Sequence, residues 1–393
     1  WYPPTSGVAV NRMEAFVKYL SLHFIVDVYT LGNTKSYMGT TTEGGVYYNE
    51  SNSIIEKIKS NTNDSKLTHN LKTVLRIVAL KMMSPPLKHW KNKTFGQLLI
   101  NHANAPYSAI VSSFSPIEPH EVALEFKQKN NTVKWVADMR DEMSLNPGVS
   151  ANELEKLKQF EQIINNEADA ITTVSMPLVD DFKKLCPNIT YVEEVRNGYD
   201  HNYVTENIHV SKKGVLKIGY FGTFYGENKP TYFMKALEII KCKHEITIEF
   251  HIYGAHQNFE IPQVLKNEVV LHQRLSYEQA ISTMASMDIN YMPLPKFSRL
   301  GVFSGKIFDY LSVQRPVIAC MDSNVAAAKL ITEMNAGYIA NFDDVTQIAE
   351  QLHSAYTDIQ NNINKVASNN QVSTLHRKYQ VEKLAKLIHT IIQ

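Results

Sequence analysis

The most informative part of the sequence is Phe303-Ser304-Gly305-Lys306-Ile307-Phe308-Asp309-Tyr310-Leu311, followed by Arg315-Pro316-Val317-Ile318-Ala319. Its pattern is a small-residue turn, a helix and then a strand. The free backbone amides of a helix N-terminus at Ser304 and Gly305 attract anions, and Lys306 adds a positive charge there. Asp309 follows at i+3 on the same helix face, where a carboxylate can bind a ribose diol. The stretch indicates a nucleotide diphosphate site, although an amphipathic helix with a surface lysine and aspartate explains it equally well.

Strand and helix patterns alternate along the rest of the chain. We predict strands over 25–30, 107–113, 133–138, 170–175 and 189–192, and then over 215–221, 246–253, 269–272, 289–292, 317–320 and 337–339. We predict helices over 11–20, 54–58, 71–80, 119–127, 151–168, 177–185, 232–241, 277–287, 306–311, 324–334, 345–356 and 381–392. This alternation predicts an α/β protein with two Rossmann-like domains and a ligand site in the cleft between them.

The domain boundary is expected at the polar stretch 199–214. We therefore assign 1–198 to an N-terminal domain and 199–370 to a C-terminal domain, and we expect the last helix, 375–393, to pack back on the first domain. The loop 1–7, the helix 11–20 and the strand 25–30 form a βαβ unit that lacks its first strand. We expect a strand immediately before Trp1 to complete it.

Composition limits the classes of function. The 393 residues are 44% hydrophobic and 20% charged with a formal net charge of +1, so no overall field attracts nucleic acid. Three distant cysteines, no apolar run long enough for a membrane span and no signal peptide predict a cytoplasmic protein. The segment 81–93 interleaves lysines with Met82, Met83, Leu87 and Trp90. It is either a peripheral contact with the inner face of a membrane or an ordinary helical surface, and we favour the latter.

Six motifs then carry a resemblance, in order along the chain. They are Trp1-Tyr2-Pro3-Pro4 with Gly7 and Arg12, then Trp135-Val136-Ala137-Asp138-Met139-Arg140-Asp141, 168–175, 197–200, 218–223 and 306–318. The chain resembles the GT-B glycosyltransferases of the retaining, family 4-like group, which includes many enzymes of bacterial polysaccharide synthesis. The resemblance implies transfer of a sugar from a nucleotide diphosphate sugar, UDP or GDP, to a saccharide or lipid-linked acceptor. It also implies that no metal and no cofactor are required.

The resemblance implies a role for each donor-site residue. Lys306 and Lys229 would neutralise the diphosphate, together with the backbone at Ser304 and Gly305 and the turn at Gly222 and Thr223, because no metal motif stands out. Asp309 would bind the ribose. Arg274 and Leu275, after a predicted strand, would hold the base.

Other site residues are expected in the N-terminal half. Gly7 would let the backbone approach the donor phosphate or the acceptor. His120 would face the reacting sugar, although a core or capping histidine is an equally good interpretation. Asp138, Arg140 and Asp141, at the end of a strand, would contact acceptor or donor, or form an Arg–Asp ion pair within the domain.

One position departs from the family pattern. Gly301 stands where the family has its first glutamate, which contacts the hydroxyls of the donor sugar. This departure keeps a non-catalytic nucleotide-sugar-binding relative open as an alternative. Another GT-B enzyme, such as a nucleotide-sugar epimerase, is the second alternative, but no convincing set of carboxylates and histidines for acid–base chemistry is evident.

Overall fold

The computed structural model describes residues 8–32, 44–49, 86–202, 211–295, 299–363 and 365–393. Gly7, the helices predicted over 54–58 and 71–80, and residues 81–85 lie outside these ranges. The chain divides into two compact units. Unit 1 comprises Trp1–Val174, Leu178–Val195 and Val381–Gln393, and unit 2 comprises Ser175–Pro177 and Arg196–Gln380.

Unit 1 is an α/β unit of parallel strands. Its strands are β1 (Val28–Leu31), β2 (Val46–Asn49), β3 (Ala109–Phe114), β4 (Lys134–Met139), β5 (Ala170–Thr173) and β6 (Tyr191–Glu194). Its helices are α1 (Val8–Leu20), α2 (Pro86–Asn104), α3 (Glu118–Lys129), α4 (Ala151–Glu167) and α5 (Met176–Leu185). The strands β3-β4-β5-β6 form one parallel sheet, and β1-β2 form a separate parallel pair.

Alternate residues of β4 show how this sheet is buried. Trp135 and Met139 pack with the apolar faces of α3, α4 and α5, whereas Val136 packs on the other side with α1. A strand with both faces covered needs a largely apolar sequence, and β4 has the apolar run Trp135-Val136-Ala137. The last helix of the chain, Arg377–Ile392, adds Leu384 and Ile388 to the core that contains Val136.

Unit 2 contains a six-stranded parallel sheet. Its strands are β7 (Val215–Phe221), β8 (Thr247–Tyr253), β9 (Val269–His272), β10 (Ile289–Pro293), β11 (Val317–Cys320) and β12 (Gly337–Ala340), in the order β12-β11-β10-β7-β8-β9. Its helices are α6 (Thr231–His244), α7 (Tyr277–Ala285), α8 (Lys306–Ser312), α9 (Ala326–Glu333), α10 (Val345–Gln360) and α11 (Asn369–Thr374). The final helix of the chain, α12 (Arg377–Ile392), begins in unit 2 and belongs to unit 1 from Val381 onward. This strand order is that of a Rossmann domain. The strands all run in parallel, and the order in which the chain adds them to the sheet changes direction between β7 and β10.

Some elements differ from the sequence-based expectation. The strand β2 lies in a stretch expected to be loop, and its pairing with β1 is what holds it. Helix α2 includes part of the segment proposed for membrane contact. There Trp90 is buried, and Lys91 pairs with Glu121 and Glu125 of α3. In the described part of the segment, these two residues therefore face protein. Among the described residues, α2 included, no helix is long and apolar enough to cross a bilayer.

Candidate functional site

The reversal point of the sheet in unit 2 brings several predicted residues together. In parallel sheets of this order, ligands bind outside the carboxyl ends of the strands at that point. Here β7 ends at Phe221 and β10 ends at Pro293, and α8 begins with Lys306. A cavity of about 230 Å³ opens beside them, lined by Lys306, Ser304, Tyr220, Tyr225–Asn228 and 291–295.

Two charged residues line this cavity, the exposed Glu227 and the half-buried Lys306. The Nζ of Lys306 donates to the hydroxyl of Tyr220 at 3.2 Å and lies 4.7 Å from the centre of that ring. Tyr220 in turn donates to the carbonyl of Thr223 at 3.0 Å. Burial lowers the pKa of Lys306 from 10.5 to about 8. None of the ion pairs found among the described residues includes Lys306, so its charge has no carboxylate partner there.

Gly222 leaves room for that lysine. Its φ is +140°, and a Cβ at this position would lie 2.5 Å from Lys306 Nζ and 2.6 Å from Cε. Any side chain at 222 would therefore displace Lys306 as well as strain the backbone. The glycine turn after β7 and the start of α8 are therefore in direct contact.

Asp309 lies on the same helix and holds a proton unusually well. It accepts a hydrogen bond from the hydroxyl of Tyr277, 2.8 Å away. Burial raises the pKa of Asp309 from 3.8 to about 6, against the opposing effects of this hydrogen bond and of the Arg377 charge. A carboxylate held this way at neutral pH can accept a hydrogen bond from a ligand hydroxyl.

The other donor-site candidates lie at the surface or at the margin of this group. Thr223, Arg274 and Lys229 are exposed, and Leu275 packs partly on the core beneath α8. Gly305 caps α8 in ordinary helical geometry, and Ser304 lines the cavity. Helix α8 has only seven residues, so its backbone contributes less than a long helix would.

In unit 1, Asp138 is part of a buried ion pair. Its two carboxylate oxygens lie 2.6 and 3.0 Å from the guanidinium of Arg12 on α1, and Ser113 and Thr172 donate to it as well. Burial alone would raise the pKa of Asp138, but the charge and hydrogen bonds of Arg12 and the two hydroxyls outweigh it, and the pKa is lowered. Asp138 is fully buried, so the ion-pair interpretation holds in place of direct contact with acceptor or donor.

Two further candidates follow the same strand. Arg140 donates to the carbonyls of Phe114 at 2.6 Å and Ser115 at 2.8 Å, and so fixes the loop after β3. Asp141 is next to it and is half-buried. Both lie at the carboxyl end of the sheet of unit 1, where the sequence places them.

His120 occupies the core of unit 1. Its ring is fully buried, with Nδ1 2.6 Å from Ser112 Oγ and Nε2 3.2 Å from Met139 Sδ. Burial lowers its pKa to about 4, against the charge of Asp138, so the ring is neutral at neutral pH. This placement corrects the expectation that His120 faces the reacting sugar, and the core-histidine alternative is the one the packing supports.

Sequence reasoning missed two members of the site in unit 2. Tyr220 carries the hydroxyl beside Lys306, but its position inside a buried strand made it look like a core residue. Tyr277, at the first position of α7, bonds to Asp309 from another element. The sequence shows an aromatic residue, Tyr277, at the start of a predicted helix, but it does not show that Asp309 is its hydrogen-bond partner. The described residues contain no group of three or more His, Cys, Asp or Glu side chains placed to hold a metal ion.

Comparison with known proteins identifies the class. Residues 216–358, within unit 2, match the family model of glycosyl transferases group 1. The protein is accordingly a glycosyltransferase, and its fold is GT-B, with two Rossmann-like domains.

Solved structures support the fold over most of the chain. Sucrose-phosphate synthase from Thermosynechococcus elongatus is similar with a TM-score of 0.62 and 11% identity, over 99% of this chain and 94% of that protein. A UDP-forming α,α-trehalose-phosphate synthase from Burkholderia xenovorans is similar with a TM-score of 0.54 and 9% identity, over 79% of this chain and 80% of that one. The sequence matches none of the curated proteins with which it was compared.

Proposed function

We propose that unit 2 binds a nucleotide diphosphate sugar and that the enzyme transfers the sugar to a saccharide or lipid-linked acceptor. The observation that carries the proposal is Lys306, a half-buried cation without a carboxylate partner among the described residues, at the reversal point of a Rossmann sheet. A buried charge is costly unless an opposite charge compensates it. A diphosphate in the adjoining cavity supplies that charge, and the bound form restores the ordinary pKa of the lysine.

The same contact provides the catalytic effect. When the glycosidic bond to the nucleotide breaks, negative charge builds up on the leaving diphosphate, and Lys306 beside it stabilises the transition state more than the ground state. One well-placed donor of this kind contributes roughly 3–4 kcal/mol. Asp309, held by Tyr277, accepts hydrogen bonds from the hydroxyls of the ribose. It thereby positions the diphosphate of the donor beside Lys306.

The finer features of the proposal depend on the family resemblance. They are retention of anomeric configuration, independence from a metal ion, UDP or GDP as the nucleotide, and a cytoplasmic place in bacterial surface polysaccharide synthesis. UDP is the first nucleotide to test, because one structural relative is UDP-forming.

A panel of UDP- and GDP-sugars, each offered with oligosaccharide and lipid-linked acceptors, tests the proposal. We expect release of nucleotide diphosphate together with a glycosylated product, unchanged by a chelator, with the anomeric configuration retained by NMR. The Lys306→Ala variant should fold and lose turnover. Nucleotide binding without turnover across the whole panel would instead favour the non-catalytic relative, for which Gly301 is the motivating departure.

A further inference from the structure

Two residues of opposite charge line the cavity beside the end of β7. Lys306 is the half-buried cation to which we assign the diphosphate, and Glu227, on the loop after β7, is exposed. The ion pairs found among the described residues include neither of the two. Within the described part of the chain, the cavity therefore presents a carboxylate that no cation neutralises, as well as the ammonium group of Lys306.

The loop that carries Glu227 is anchored in the core of unit 2. Phe224 is buried, its ring stacks on that of Tyr220 with the centroids 4.1 Å apart, and its carbonyl accepts a hydrogen bond of 3.0 Å from Asn258 Nδ2. Directly after this anchor, a backbone hydrogen bond of 2.9 Å joins the two ends of the turn 225–228. The backbone around Glu227 is therefore positioned at the cavity before any ligand binds.

The neighbours of Glu227 in this turn also line the cavity. Tyr225 is 71% exposed, so its ring offers a flat apolar face beside a polar group. The Oδ1 atom of Asn228 is buried without a hydrogen-bond partner. Buried polar atoms are nearly always hydrogen-bonded, so a ligand hydroxyl that reached this amide would satisfy an unpaired acceptor. A monosaccharide has both an apolar ring face and a rim of hydroxyl donors, and these three side chains match the two.

We infer that the turn 225–228 recognises the transferred sugar, and that the carboxylate of Glu227 accepts hydrogen bonds from the hydroxyls of that sugar. The inference rests on the proposed function, because the sugar is bonded to the diphosphate and must lie next to the group that binds it. Lys306 and Glu227 line the same cavity, so a diphosphate at the first brings the sugar to the second. With Glu227 in this role, the glycine at 301 does not leave the sugar without a carboxylate contact.

A carboxylate in this position selects sugars by their charge. An uncharged sugar offers only hydroxyl or amide donors to Glu227, and a hydrogen bond to an ionised acceptor is about twice as strong as one to a neutral acceptor. A uronic acid would instead bring a second carboxylate close to Glu227, and the two like charges would repel each other. The inferred donor is therefore the nucleotide diphosphate derivative of an uncharged sugar, and uronic acid donors are disfavoured.

Calorimetry with UDP-glucose and UDP-glucuronic acid tests this selection, because the two donors differ only at C6 of the sugar. Both contain the same diphosphate, so its own repulsion by Glu227 cancels in the ratio of the two affinities. We expect the wild type to bind UDP-glucose roughly tenfold more tightly than UDP-glucuronic acid. Glu227→Gln should bring the ratio close to one, and Glu227→Lys should reverse it. The control Glu260→Gln removes an exposed carboxylate outside the cavity and should leave the ratio unchanged.

GDP-mannose and GDP-mannuronic acid replace this pair of donors if GDP is the nucleotide that binds. Equal affinity of the wild type for the neutral and the acidic donor would overturn the inference, and so would a ratio that stays the same in both Glu227 variants. If UDP or GDP binds under those conditions, only the role of Glu227 fails and the proposed function stands. If neither nucleotide binds, the proposed function fails and the inference fails with it.

Discussion

Gly222 and Lys306 depend on each other, because the space that the glycine leaves is the space the lysine occupies. We expect Gly222→Ala to push the ammonium group away from the hydroxyl of Tyr220 and to weaken UDP binding by roughly tenfold or more, about 1.4 kcal/mol. Calorimetry measures the affinity. Gly214→Ala is the matched control, since Gly214 also has a positive φ of +77° but open space where a Cβ would be. Equal UDP affinity in the wild type and Gly222→Ala would contradict the placement of Lys306.

The two titrating groups of the site predict a bell-shaped pH dependence of donor binding. Asp309 must lose its proton to accept hydrogen bonds from the ribose hydroxyls, so the affinity for the donor should rise as pH increases through about 6. Lys306 must keep its proton, so affinity should fall as pH rises above about 8. UDP-glucose is the suitable probe, because its diphosphate stays ionised throughout this range. Dissociation constants measured from about pH 5 to about pH 9.5 give the profile.

Two variants test which residue causes each limb of the pH profile. Lys306→Arg keeps its charge at all these pH values and should lose the alkaline limb. Asp309→Asn has no proton to lose and should lose the acid limb. A flat wild-type profile, or limbs that persist in both variants, would show that other groups control binding.

Lys306 should also lower the stability of the ligand-free protein. Its pKa is about 8 when folded against 10.5 ordinarily, so the unfolded chain binds the proton more tightly. The free energy of unfolding should therefore rise with pH between about 8 and 10.5. Below about pH 8 the burial of the charged lysine lowers that free energy by its full amount. Lys306→Met should raise stability at pH 7 by on the order of 1–3 kcal/mol, with no such rise at higher pH. Urea unfolding at the two pH values checks this, and a less stable variant at pH 7 would refute it.

At the scale of the elements, the pair of Arg12 and Asp138 joins α1 to the end of β4. Removing one member leaves the other charged and buried, which typically costs about 3–5 kcal/mol. We therefore expect Asp138→Asn to destabilise unit 1 by that amount while UDP affinity in unit 2 stays unchanged. Chemical denaturation and calorimetry measure the two effects, with the exposed Glu155→Gln as the surface control. A large loss of UDP affinity with little loss of stability would return Asp138 to the list of ligand contacts.

The elements that could be predicted from sequence are those with strong local signals. Strands β7, β10 and β11 are apolar runs because both of their faces are buried. The predicted bounds 215–221 and 269–272 are confirmed at both ends. Strand β2 was missed because glycine and polar residues surround it and its pairing with β1 is not a local property. Helix α2 lacks a clear amphipathic pattern, and its packing through Trp90 and Leu98 holds it in place.

The site was predictable only in part, for the same reason. Lys306, Asp309 and Gly222 could be named from their local sequence. Their distances could not, because these depend on the folded sheet. Tyr277 reaches Asp309 from a different helix, and no spacing in the sequence records that contact. His120 was expected in the site but lies in the core. A histidine near the start of a helix has the same sequence pattern in both places, so the sequence could not distinguish them.

At the scale of the whole molecule, the family match and the proposed nucleotide site lie in the same unit. The matched residues 216–358 include β7, α8, Lys306 and Asp309. Unit 1 has a Rossmann-like architecture of its own, built around β4 and the Arg12–Asp138 pair.

Calorimetric titration of UDP and GDP into the wild type and Lys306→Met tests whether Lys306 binds the diphosphate. The exposed Lys235→Met is the control for removal of a positive charge from unit 2. We predict that at least one nucleotide binds the wild type and Lys235→Met equally, and that Lys306→Met binds it roughly a hundredfold more weakly, about 2.7 kcal/mol. Equal binding to all three proteins would contradict the assignment of the diphosphate to Lys306.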